Sequence, residues 1–248
     1  MFNSLAKCKF RPRRITMAGM TSSHFLTLEL TIARASVLSD RLQLLISNER
    51  EHVVKTNRDN LVLMYWTILF EYHQGILTLL RSSNPTSAFA LLRVFEESYL
   101  KLFIAMFGTE KQFNALRAGT YQTEFEVVGK QIDDKLGAQP RFAKLFKDKI
   151  KVLHGFTHSG REQLSRQLRK NSSGGLDVVT NYSEDEARAL VQETMPTVFL
   201  AAAFITEFLD YPLEHQTAVG IFNEYIGTER MALQVEEMSS KIPEHLKS

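Results

Sequence analysis

The chain has 248 residues, 44% of them hydrophobic and 23% charged, with 17 Phe, 7 Tyr and one Trp, a composition that supplies a packed core and excludes a disordered chain. Its net charge of +2 names no partner through bulk electrostatics, and its single cysteine, Cys8, excludes an intrachain disulfide and fits a reducing cytoplasm. The longest uncharged apolar run, "MPTVFLAAAFIT" before Glu207, is well short of the roughly 20 residues that a membrane-spanning helix needs, so no membrane partner is expected.

The first stretch, residues 1–20, contains the basic "KCKFRPRR" with no apolar run behind it and has Met17 and Met20 downstream. It reads as a flexible arm and not as a secretory signal. From there the apolar spacing is helical nearly throughout. Helices are expected over about 24–52, 57–81, 86–107, 110–117, 122–136, 141–168, 184–209 and 215–239. In "SSNPTS" the proline opens the third of them. "TEKQ" places Gln112 three residues after Thr109, a capping box, and "SEDE" at 183–186 caps the next long helix and fills its first turn with acids. Pro196 falls inside that helix and is expected to kink it. "NSSGG" at 171–175 breaks the pattern, and "GLDVVTNY" after it reads as a short strand or an extended connector. No internal repeat, phosphate-binding glycine loop or run of strands is present. The expected fold is all-α, a single-domain bundle of about six to eight helices over residues 21–240, with 241–248 as a tail.

Two sets of residues carry candidate chemistry. Wound as a helix from Phe89, the stretch "SAFALLRVFEESYLKLFIAMF" places Arg93 and Glu96 in the same arc as Leu92, Leu100, Phe103 and Phe107. Glu97, Ser98 and Lys101 fall on the side expected to face solvent. Charges on an apolar face need partners. Arg93 and Glu96 are therefore either a buried pair that sets helix register or part of a cleft. On the preceding helix, His73 falls among Val62, Trp66, Leu69, Leu77 and Leu80 and reads as a core residue.

The second set lies in residues 141–170, where nine Lys or Arg stand against two acids, a net of +7. Phe142, Leu145, Phe146, Leu153 and Phe156 form the expected buried stripe, while Lys147, Lys151, His154 and His158 line up on another face, with Arg161 next if the helix continues. Residues 183–214 hold seven acids against Arg188 alone, a net of −6, so the basic segment can face a polyanion or pair with the acidic one. A zinc-protease pattern needs a glutamate directly after the first histidine, where Gly155 stands here. No metal and no cofactor are expected. The remaining readings are a phosphate-facing acid/base site, in which the lysines favour a neutral imidazole, and a plain solvated basic face.

These two segments carry a resemblance. "SAFALLRVFEESYLKLF", with "LHGFTHSG" some sixty residues later, resembles a group of bacterial helical proteins that share A-x-x-L-x-R-x-x-x-E and a later H-x-x-x-H-x-G. The likeness spans roughly residues 60–170. That group looks distantly related to the HEPN superfamily of helical bundles, often dimeric and often metal-independent ribonucleases of toxin or antiviral systems. The resemblance implies RNA as substrate or ligand, an antitoxin or other protein partner, a homodimer, and a cytoplasmic setting. It assigns Arg93, His154 and His158 to the polar positions, with Glu97 by the motif or Glu96 by the helical arc as the acid; Lys147, Lys151 and Arg161, from the basic line itself, would hold phosphate beside them. HEPN nucleases place a histidine four to six residues after an arginine, and here the nearest stand-in is Lys149 before His154. A bundle that docks a partner without chemistry is the alternative.

Overall fold

A computed structural model describes residues 27–47, 56–137, 142–157, 168–170, 172, 174–178 and 182–240. The arm at 1–20, His158, Arg161 and the tail at 241–248 lie outside the described residues. The fold is all-α. The described residues form eight helices: α1 (Leu28–Ser47), α2 (Asn57–Arg81), α3 (Pro85–Phe107), α4 (Glu110–Arg117), α5 (Phe125–Leu136), α6 (Phe142–Thr157), α7 (Glu184–Phe208) and α8 (Pro212–Ser240). Between α6 and α7 an antiparallel pair of three-residue strands joins β1 (Leu168–Lys170) to β2 (Leu176–Val178), with Leu168 opposite Val178. The strand alternative for "GLDVVTNY" thus holds over 176–178, and Leu168, expected to end a helix, is in a strand.

Within the span read as one domain, chain contacts separate the described residues into two compact units, one of those from 56 to 182 and one of 27–47 with 183–240. In the first, α2 and α3 form an antiparallel hairpin. Near its turn Gly75 lies against Leu91, and at its far end the Arg58 guanidinium donates to the carbonyls of Ala105 (3.1 Å) and Gly108 (3.2 Å). Arg58 also bonds Glu110 at 2.7 Å and lies over the Phe113 ring, so one side chain ties α2 to the start of α4. Local caps set the boundaries. Thr56 with Asp59 and Thr109 with Gln112 form reciprocal capping boxes, and Pro85 occupies the first turn of α3 behind the Asn84 cap.

The α3 helix is buried on nearly every side, with Phe95, Tyr99, Leu100, Leu102, Ile104 and Ala105 all enclosed. Ser98, expected at the surface, is among them, and its hydroxyl donates to the Val94 carbonyl at 2.7 Å. A helix wrapped by neighbours has no solvent face to read, and a single arc understates its burial.

The α5 helix runs antiparallel to α6. It ends at Gly137, whose φ of +58° is the left-handed conformation that a helix C-cap favours. Gly129 permits the approach, because a Cβ there would stand 2.8 Å from the Ala143 nitrogen. Asp133 closes the junction by accepting from the backbone N–H of Phe142 and of Ala143, each at 3.0 Å. In α6, Phe146 and Leu153 are buried as expected, but Leu145 is largely exposed.

In the second unit α7 packs against α1 and α8. Its first-turn acids act locally: Glu186 completes the Ser183 capping box, Glu184 accepts from the Leu28 N–H at 2.8 Å, and Asp185 pairs with Arg188. Arg34 lies over the Tyr225 ring and donates to the Tyr225 carbonyl at 2.9 Å, while Phe199 meets Phe222 and Tyr225. Pro196 lies within α7. That helix is long and apolar enough on average to cross a bilayer, although 67% of its apolar window is buried.

Candidate functional site

An open groove of about 710 Å³ runs along the first unit. Arg93 of α3 lines it together with the start of α5 (Thr123 to Val127, and Lys130) and Ala143, Lys147 and Ile150 of α6. Its position follows from the packing already described. The α3 helix contacts both α5 and α6, and the Asp133 cap sets where α6 begins. Ala143, Lys147 and Ile150 recur at helical spacing, so one face of α6 forms a wall.

The structure therefore brings Arg93 and Lys147, two residues singled out in the sequence, to the same groove. Glu96, three residues on along α3, is 1% exposed and does not line the groove, whereas Arg93 is half-buried and does. Neither is free of interactions. Burial raises the Tyr99 hydroxyl far above its ordinary range, and the nearby Glu96 adds to that shift. Glu97 bonds Lys101 one turn on, at 2.8 Å. Lys151 and His154 occupy the C-terminal half of α6, with His154 four residues beyond Ile150, and their side chains are outside the described set.

Three groove residues escape a reading by motif. Lys130 is exposed on α5. Glu124 is the N-cap of α5 and makes no side-chain cap bond. Glu126 reaches across the groove to Lys147, Oε1 to Nζ at 3.1 Å. The charges are thus mixed, with three cations (Arg93, Lys130, Lys147) and two carboxylates (Glu124, Glu126). Beside these charges the lining includes the apolar Val127 and Ile150.

His73 is buried as expected, with its ring 6.0 Å from that of Phe95, but neither ring nitrogen has a hydrogen-bond partner. The Trp66 Nε1 and the Tyr99 hydroxyl on the same hairpin are likewise unpartnered. Burial alone lowers the His73 pKa from 6.5 to about 3. Among the described residues no three His, Cys, Asp or Glu side chains gather as a metal site requires. No protein-family model matches the chain, and no curated protein or solved structure matches it.

Proposed function

We propose that this chain is a HEPN-like helical bundle that binds RNA through the α3–α5–α6 groove and belongs to a bacterial defence or toxin system. The observation that carries this reading is the meeting of Arg93 and Lys147 in one groove from helices fifty residues apart in sequence. Backbone phosphates engage Arg93, Lys130 and Lys147, and in this proposal Lys151 and Arg161, which follow in sequence, add further phosphate contacts. In the cleaving form of this proposal, His154 or His158 acts as general base or acid on the bound phosphodiester and the cations stabilise the charge that builds on it. Glu96, buried on α3 itself, serves as a positioning residue that orients Arg93 or a histidine.

Binding of a short single-stranded oligouridine tests the groove. The double variant Lys130→Gln/Lys147→Gln is expected to weaken binding about tenfold or more, and Lys130→Gln alone to flatten the salt dependence by about 0.7 in log–log slope. Unchanged affinity in the double variant removes the groove from the proposal. Incubation with tRNA and total RNA tests cleavage, with loss of cleavage expected in His158→Ala. If the wild-type protein leaves RNA intact and His158→Ala binds equally well, the enzymatic form is excluded.

One observation favours a second reading, a module that docks another protein. Leu30, Val37 and Leu44 repeat every seven residues along α1 and are 50%, 59% and 57% exposed, an apolar seam of the kind that pairs helices. The occupant proposed is a second copy of the chain. Sedimentation is expected to show a dimer that Val37→Glu converts to monomer; a wild-type monomer at tens of micromolar would exclude this seam as a self-association surface.

A further inference from the structure

We infer that Glu126 is an internal competitor for the groove, occupying on Lys147 the place that a ligand's anionic group takes, and so favouring polyanions over single anions. The inference rests on the proposed RNA reading of the same groove and adds the residue that sets its selectivity.

Both members of the pair line the groove, they meet at 3.1 Å, and their side chains are 57% and 63% exposed. An exposed pair of this kind is weak and readily exchanged. Glu126 also has a second favourable place. It lies in the first turn of α5, whose N-cap Glu124 makes no side-chain cap bond, so a carboxylate released from Lys147 remains beside the positive end of that helix. The two states of Glu126 are therefore close in free energy. An incoming anion at Lys147 exchanges one carboxylate for another negative group and gains little. A chain of phosphates that engages Arg93 and Lys130 at the same time makes the exchange at high effective concentration and prevails.

This arrangement leaves a signature in salt dependence. Salt weakens the competing Glu126–Lys147 pair as well as the phosphate contact, so in the wild-type protein the two dependences at Lys147 partly cancel. Glu126→Gln restores Lys147 as a free cation. Oligouridine affinity is then expected to rise by up to about fivefold, and the slope of log affinity against log salt to steepen by about 0.7, one extra phosphate contact on a single strand. Glu124→Gln, which removes an equal charge from the same groove without touching Lys147, is expected to raise affinity less and to leave the slope unchanged. In a Lys147→Gln background the gain from Glu126→Gln should vanish. Equal effects of Glu126→Gln and Glu124→Gln would reduce the matter to net charge and overturn the inference. So would wild-type binding that depends on Lys147 but does not respond to Glu126→Gln, an outcome that leaves the groove's RNA reading intact. If neither the wild-type protein nor Glu126→Gln binds oligouridine, both proposals fall together. Binding that appears only in Glu126→Gln supports the competitor in its strongest form.

Discussion

Acidifying the protein from pH 6.5 towards pH 3 is expected to remove about 4–5 kcal/mol of folding stability through His73 alone. The enclosed imidazole resists protonation in the native state down to about pH 3, while the unfolded chain takes up the proton near 6.5. Between those values the unfolded state holds more protons, so stability falls as pH falls through this window and levels off below about 3. No carboxylate offsets the shift, whose only cause is burial. His73→Leu fills a similar volume and deletes two unpartnered polar atoms. It is therefore expected to stabilise the protein near pH 7 by about 1–3 kcal/mol, and to flatten this part of the acid dependence. Denaturant melts of both proteins across the pH range give the difference directly. Parallel curves would mean that the native state protonates His73 at little cost, contrary to its enclosure.

His73 also shows what a sequence reveals about such a fold and what it hides. Its place among Val62, Trp66 and Leu69 follows from a 3.6-residue period, and burial follows from the place. Whether its nitrogens find partners depends on the neighbouring helix, and no spacing within α2 encodes that. The same divide recurs along the chain. Thr109 with Gln112, Ser183 with Glu186 and Pro85 after Asn84 are contacts within three residues, and each is legible as a short pattern. Arg93 and Glu96 share an arc on paper. What packs beside each, about 60° apart around the helix, leaves one lining a groove and the other sealed. Ser98 looked exposed because a helical wheel assumes one solvent face, and α3 has almost none. Glu126 with Lys147 is invisible in sequence because the residues are 21 apart and meet only once α5 docks on α6.

Asp133 closes that docking, and Asp133→Ala is expected to cost about 2–3 kcal/mol and to open the groove. The carboxylate is 2% exposed, and its two oxygens accept the first two N–H groups of α6, Phe142 and Ala143. An ordinary N-cap acts from within its own helix and is worth about 1 kcal/mol. Here the cap comes from the neighbouring helix and is itself buried, so its loss leaves two part-buried N–H groups without their acceptor and the positive end of α6 without a counter-charge. Asp133→Asn retains one acceptor and is expected to lose roughly half as much. In a chain of this size the alanine variant should melt about 5–10 °C lower, with the amide protons of Phe142 and Ala143 exchanging much faster with solvent. Gly129 does not compensate, because it supplies only the absence of a side chain against Ala143 and makes no bond. Since Lys147 reaches the groove only from an anchored α6, oligouridine affinity should fall in the same order, wild type above Asp133→Asn above Asp133→Ala. A stable Asp133→Ala protein with protected amides at 142 and 143 would show that the Phe125 and Phe146 contact between the helices holds α6 without the carboxylate.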